Sequence, residues 1–150
     1  MFKSLQPLLQ LIYPPNCLIC LAAGSAICFR CKSGWQQDVK VGQVAKTSLY
    51  FTNFYNPEAA KIILSAKENG NHIAKDLLAS SIVKSLRKAI IDLNLGDGIA
   101  LVSIPSSLAS IRKRGRDHID DLANEVVKIS KTYGISVINL SILSLSKKVK

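Results

Sequence analysis

Ile99-Ala100-Leu101-Val102-Ser103-Ile104-Pro105 is the stretch on which the fold turns. A short apolar run without alternation reads as a buried strand of the kind found in parallel sheets, and Pro105 ends it. Leu95-Gly96-Asp97-Gly98 supplies the turn before it. Downstream, Asp117 to Gly134 reads as a helix. Asp117 or His118 starts it, Asp120 and Asp121 lie where the helix dipole favours negative charge, Lys131 sits in the last turn, and Gly134 stops it. Ile119, Leu122, Val126, Ile129 and Tyr133 mark its core stripe. Ile135 to Leu140 then reads as a second strand. The sequence predicts two neighbouring parallel strands joined by a right-handed crossover, an α/β arrangement.

Upstream, Asn71 to Leu93 reads as a long helix that buries Ile73, Leu77, Ala79, Ile82, Leu86, Ala89, Ile90 and Leu93, with Lys75, Lys84, Arg87 and Lys88 on a solvated face. A shorter helix precedes it. Asn56 is its cap, Pro57 occupies the first helical position, where a missing N–H costs nothing, and Gly70 stops it. Val39 to Tyr55 carries β-branched and aromatic residues in loose alternation (Val44, Leu49, Phe51, Phe54), which predicts one or two strands with a turn near Lys46 to Ser48. Phe2 to Tyr13 reads as a short amphipathic helix, ended by Pro14-Pro15.

All four cysteines lie between these prolines and Trp35, as Cys17-x-x-Cys20 and Cys28-x-x-Cys31. Two such knuckles offer the four thiolates that tetrahedral Zn²⁺ takes, and Gly24 in the short linker lets the second fold back onto the first. Paired disulfides in a secreted chain are the rival reading. Thiol redox chemistry is another, but no strand–helix context like a thioredoxin's surrounds either knuckle. Trp35 reads as a hydrophobic lid on a module too small to own a core, with base stacking as the alternative. The expected organisation is residues 1–37 as helix and zinc knuckle and residues 38–150 as a partial α/β domain.

The apolar fraction of 48% is enough for a packed core, and the formal charge is +10. Counting four thiolates and one Zn²⁺ brings that to about +8, an excess that points to anionic partners such as phosphates, nucleotides or nucleic acid. The N-terminal apolar stretch breaks at Pro14 before the ~18 residues a bilayer requires, so no membrane span is expected. A signal-peptide reading would cleave near Ala22 to Ala26 and strand Cys28 and Cys31, so a cytoplasmic, reducing compartment is expected.

Past Pro105 comes Ser106-Ser107-Leu108-Ala109-Ser110-Ile111, then Arg112-Lys113-Arg114-Gly115-Arg116-Asp117-His118. Ligands of open α/β sheets collect beyond the carboxyl ends of strands, and four cations and a glycine there suit a phosphate-bearing ligand. The same cations could lie along a nucleic-acid backbone.

Taken together, these motifs resemble the ComF-like family, competence-related proteins with an N-terminal zinc knuckle and a type I phosphoribosyltransferase domain. Leu11-Ile12-Tyr13-Pro14-Pro15-Asn16-Cys17-Leu18-Ile19-Cys20 is similar to the family's opening, and Cys28-Phe29-Arg30-Cys31 to its second knuckle. Ile63-Leu64-Ser65-Ala66-Lys67-Glu68-Asn69-Gly70 looks like its lysine-and-glycine segment. Val102-Ser103-Ile104-Pro105-Ser106 followed by Arg112-Lys113-Arg114-Gly115-Arg116-Asp117-His118 looks like its V-P-V-P…R-x-R-G signature. The likeness runs over nearly the whole chain, in family order.

The resemblance implies a type I phosphoribosyltransferase-like parallel sheet with flanking helices. It also implies phosphoribosyl pyrophosphate and Mg²⁺ as ligands of a complete domain, with Arg112, Arg114, Gly115 and Lys67 bordering the pyrophosphate region. The family's cofactor element is a strand ending in two acids, followed by a Thr- and Gly-rich loop. No such element occurs here: Asp120-Asp121 lies inside a helix, and Ile90-Ile91-Asp92 to Gly96-Asp97-Gly98 has neither adjacent acids nor a threonine. The expectation is therefore the front of such a protein, ending before its cofactor site, whether as a truncated gene, a frameshifted remnant or a short variant. The catalytic residues are not assigned. A sheet left incomplete at Leu145 to Lys150 would expose an edge and favour self-association. The competing functions are a binding module for single-stranded DNA or competence proteins, with Phe29, Arg30, Lys32 and Trp35 as its candidate surface although Phe29 and Trp35 read rather as core, and an inactive remnant.

Overall fold

Helix ends set the framework. In the computed structural model, which describes residues 14–35, 37–96 and 98–145, helix α2 (Pro57–Asn69) begins where Asn56 Oδ1 accepts the Ala59 amide at 2.7 Å, and it stops at left-handed Gly70, φ 64°. Helix α3 (His72–Asp92) follows at once, because Asn71 Oδ1 accepts the Ala74 amide at 3.0 Å. Each cap satisfies an amide that the first helical turn leaves without a carbonyl partner. Ahead of them lie α1 (Phe29–Trp35) and an antiparallel hairpin of β1 (Lys40–Val44) and β2 (Thr47–Phe51). Behind them come β3 (Ile99–Val102), α4 (Leu108–Arg114), α5 (His118–Thr132) and β4 (Val137–Leu140). The expected helix Phe2 to Tyr13 lies outside the described residues, as do Asp97 of the expected turn and residues 146–150.

The chain is mixed α/β, with five helices and two small sheets among the described residues. β3 and β4 pair in parallel, Ile99 opposite Val137 through Val102 opposite Leu140, with α5 between them in sequence. Both strands are shorter than the runs that predicted them. One face of the pair turns Leu101 towards Val126 of α5. The other leaves Val102, Ile104 and Ile138 exposed, at 39, 78 and 55%.

Two apolar clusters hold the molecule. Cys17, Ile19, Trp35, Ala59, Ile62 and Ala74 form the first, so the cysteine segment packs directly on α2 and α3. Ala79, Val83 and Val126 form the second, where α3 meets α5. α3 thus serves both, and its buried stripe differs from the expected one. Ala74, Ala79 and Val83 are buried, whereas Ile82 borders a cavity and Leu93 is half exposed, past the crossing with α5. Nor is its cationic face simply solvated. Lys75 pairs with Glu125 at 3.6 Å, Lys84 donates to the Gln37 carbonyl, and Arg87 stacks on Tyr133 at 4.7 Å. The hairpin departs most from its pattern. Val44 and Leu49 are exposed towards the turn end of the ribbon, where none of the described elements packs on them, Phe54 is exposed beyond β2, and only Phe51 of the expected set is half-buried.

Candidate functional site: a four-thiol centre and a cationic cleft

Pro14 and Pro15 deliver the chain to Cys17 without helix, and short backbone bonds then fold the segment on itself. The Leu21 amide donates to the Cys17 carbonyl at 2.9 Å, the Cys17 amide to Ala22 at 2.8 Å and the Leu18 amide to Ala26 at 2.9 Å. Leu21 takes the left-handed conformation, φ 65°, to complete this turn. Cys28 and Cys31 then arrive at the start of α1, three residues apart, so that both lie near one face. The four sulfurs converge to within 4.8 Å of one another, and Cys20 Sγ is 3.6 Å from Cys28 Sγ. A tetrahedron of sulfurs at about 2.3 Å from one Zn²⁺ has S···S edges of about 3.8 Å. The four cysteines are free thiols, so the paired-disulfide rival is not the arrangement present.

The electrostatics of the cluster call for a cation. Burial pushes the Cys17 thiol up, but the backbone N–H groups of Cys20, Cys28 and Ile19 outweigh it and bring the group down to about 6. Cys31 goes the other way, pushed up to about 12 by desolvation and by the Cys28, Cys20 and Cys17 sulfurs around it. Four sulfurs this close cannot all ionise without a positive charge at their centre, and a metal ion supplies one. The donor set, spacing and charge fit a structural metal held by Cys17, Cys20, Cys28 and Cys31.

The centre is tied to the helices. Trp35 is 7% exposed, and its Nε1 donates to Ser81 Oγ of α3 at 2.8 Å; Lys61 Nζ of α2 donates to the Ile19 carbonyl at 2.7 Å. Trp35 is a core residue, as its lid reading expected. Phe29, by contrast, is 86% exposed, with Arg30 and Lys32 exposed beside it.

The basic stretch after β3 is a helix rather than the expected loop. Ser107 Oγ accepts the Ser110 amide at 3.2 Å to start α4, and left-handed Gly115, φ 70°, ends it. Arg112, Lys113 and Arg114 occupy the last turn, where the dipole favours cations, which is why a run that looks like loop is stable as helix. Arg112 and Lys113 are exposed. Arg114 is 11% exposed at its side chain; it donates to Glu68 Oε2 at 3.2 Å and lies 3.3 Å from His118 Nδ1. Lys67 is 3.7 Å from Glu68, so Lys67 and Arg114, far apart in sequence, share one carboxylate. Arg116 is committed to structure. It donates to the Ala66 and Lys67 carbonyls at 2.7 and 2.9 Å, closing the end of α2, and pairs with Asp121 at 3.1 Å.

Asp117 caps α5 through the Ile119 amide at 3.0 Å and accepts from Ser106 Oγ at 3.1 Å. His118 Nδ1 is also 3.3 Å from Ser106 Oγ. Burial first, then Arg114 and Lys67, holds the imidazole below its ordinary value, with Asp117 opposing. The structure therefore brings Lys67 and Arg114 together on Glu68 with His118 beside Arg114, leaves Arg112 exposed, and gives Gly115 the turn between α4 and α5. His118 was named in the sequence only as part of a helix start; its role in the cleft depends on a tertiary contact that no local spacing shows.

No helix among the described residues is long and apolar enough to cross a membrane. No protein-family model, curated protein or solved structure matches this chain.

Proposed function

We propose that the chain is a ComF-like protein. In this reading the four-thiol centre holds structural Zn²⁺, and the α/β part is phosphoribosyltransferase-like, built to meet a phosphate-bearing small molecule. The observation that carries it is the meeting of Lys67 and Arg114 through Glu68 beyond the carboxyl end of β3, with Arg112 and Gly115 on the same α4 terminus. These are the positions the resemblance assigns to the pyrophosphate region, and cations past a strand end suit that ligand. The 150 residues contain no strand-ending acid pair with a Thr- and Gly-rich loop after it. Asp120 and Asp121 are occupied instead, the first with Asn124 and Asn139 and the second with Arg116. This polypeptide alone therefore attracts the phosphates without orienting a ribose or Mg²⁺. Calorimetric titration with inorganic pyrophosphate is the test. Saturable binding that Arg112→Ala weakens, without phosphoribosyl transfer, supports the reading. Turnover that falls with Arg114→Ala contradicts the incompleteness, and failure to bind pyrophosphate contradicts the ligand class.

A second reading has its own observation. Phe29 stands exposed on α1 between the metal ligands, beside Arg30 and Lys32. An exposed ring with flanking cations suits stacking and backbone contact with single-stranded DNA during DNA uptake. Each phosphate neutralised on a single strand adds about 0.7 to the salt slope. Arg30→Ala should lower that slope by one such step, and salt-insensitive or absent binding removes the reading.

A further inference from the structure

Strand β2 and residues 52–55 after it, with α2, α3 and the start of α5, line an open cavity of about 480 Å³. Its inner wall is aliphatic, from Ile63, Leu78, Ile82 and Leu122. Its outer wall is aromatic, from Tyr50, Phe51, Phe54 and Tyr55. Phe51 and Phe54 meet edge to face at 5.1 Å, and the Lys40 ammonium lies 5.4 Å from the Phe54 ring centre. Phe54 and Tyr55 are 65 and 80% exposed, so the aromatic wall is also the mouth. Rings at that exposure bury little of their own surface and offer flat apolar faces to whatever enters.

The lining carries Lys67, Lys75, Arg116 and His118, and no aspartate or glutamate among the described residues. The neighbouring charges nearly cancel, with a remainder. Lys75 and Lys128 share Glu125, Asp121 answers Arg116, Lys67 and Arg114 share Glu68, and Asp117 stands beside His118, five cations against four carboxylates. That leaves about one unit of positive charge beside a low-dielectric wall, where a field is strongest. Burial first, then Arg114 and Lys67, keeps His118 below its ordinary value.

We propose that this cavity binds a planar aromatic anion, a ring system of one or two rings carrying a single carboxylate or phosphate. The ring lies between the aromatic mouth and the aliphatic wall, and the anion meets Lys67. A cavity of this size suits such a ligand, since small-molecule sites run from about 300 to 1,000 Å³ with a few placed polar groups on an apolar lining. An aliphatic anion would leave the aromatic faces without stacking, and a neutral ring would leave the surplus cation unanswered. The inference does not rest on the family reading: its evidence is the lining of the cavity, which shares only Lys67 with the pyrophosphate region.

The test is calorimetric titration of the metal-loaded chain with 2-naphthoate, 2-naphthyl phosphate and the neutral analogue 2-naphthylmethanol. No phosphoribosyl ligand or pyrophosphate is present, so failure here and failure of the proposed function remain separate. At least one anion should bind 1:1, and naphthoate about tenfold more tightly than the alcohol, the worth of one charge-assisted hydrogen bond. Naphthoate binding more tightly than naphthyl phosphate identifies a carboxylate ligand; the reverse order identifies a phosphate ester. Lys67→Gln should erase the preference of acid over alcohol, and Phe54→Ala should weaken both. Both side chains are exposed enough that neither substitution threatens the fold, which circular dichroism checks. Equal affinity for acid and alcohol in the unaltered chain overturns the proposal. So does indifference to both substitutions, or no binding of either anion.

Discussion

Around Trp35, six buried residues from the cysteine segment, α2 and α3 make one cluster, whereas around Val126 only three from α3 and α5 do. The first region is tied at several points: thiols converge at one end, Lys61 reaches the Ile19 carbonyl, and the indole bonds to Ser81. The second is covered on one face among the described residues. Leu101 packs towards α5, while Val102, Ile104 and Ile138 look outward from a two-stranded sheet, although parallel sheets are stable when both faces are covered. What sets the first region apart is the four-thiol cluster, which the second lacks.

The largest effect should therefore come from the centre. Cys28→Ser, or chelation of the reduced protein, is expected to remove most of the free energy that a structural zinc contributes, about 10 kcal/mol in small zinc modules. Urea unfolding followed by Trp35 fluorescence should lose its cooperative transition. An unchanged midpoint would mean that the six-residue cluster stands without the metal. Next in size is Trp35→Ala, expected to cost about 3–5 kcal/mol through cavity formation and loss of the Ser81 bond. Val126→Ala should cost less, because fewer buried neighbours surround it; equal costs, read by circular dichroism, would erase the contrast between the regions.

Much of this was legible in the sequence, and the misses share a cause. The cap at Asn56, the helix start at Asp117 and the stops at Gly70 and Gly134 are local chemistry, and each appears where the residues put it. The parallel pairing of the Ile99 and Val137 strands was equally readable, because an apolar run, a helix and another run admit few arrangements. The convergence of four cysteines follows from spacing alone. What was not legible depends on neighbours. The β1–β2 alternation suggested half-burial, but whether a face is covered is decided by other elements, and none of the described ones covers Val44 or Leu49. The cations after Pro105 looked like loop because charge dominates the run, although Ser107 and Gly115 are suitable helix caps. The sharing of Glu68 by Lys67 and Arg114 requires the tertiary fold.

A smaller effect sharpens the account of the second region. His118 is held below its ordinary value of 6.5 by burial, Arg114 and Lys67, so the unfolded chain binds a proton that the folded chain resists. Its contribution is full above that value and is lost as pH falls below it. Glu125, lowered mainly by Lys128, acts in the same direction in a separate, more acidic window, below its ordinary 4.5. Urea midpoints should fall between pH 7.5 and 5.5 in the parent chain and fall less in His118→Gln. Identical pH dependence in the two would detach His118 from the cationic cleft.

The smallest effect on stability, within about 0.5 kcal/mol, is expected from Ile138→Lys on the uncovered face, since little burial is lost there. The same change should raise solubility and shift sedimentation at low micromolar concentration towards monomer, because exposed parallel edges and apolar faces self-associate. A parent chain that sediments as a monomer and binds no hydrophobic dye would mean that the second region is finished after all.

The most direct test of the account is the metal content of the folded, reduced protein purified without chelator, measured by native mass spectrometry alongside elemental analysis. The convergence of Cys17, Cys20, Cys28 and Cys31 predicts one zinc per chain, lost together with the Trp35 unfolding transition when the ion is stripped. A cooperatively folded chain with a stoichiometry near zero would contradict it.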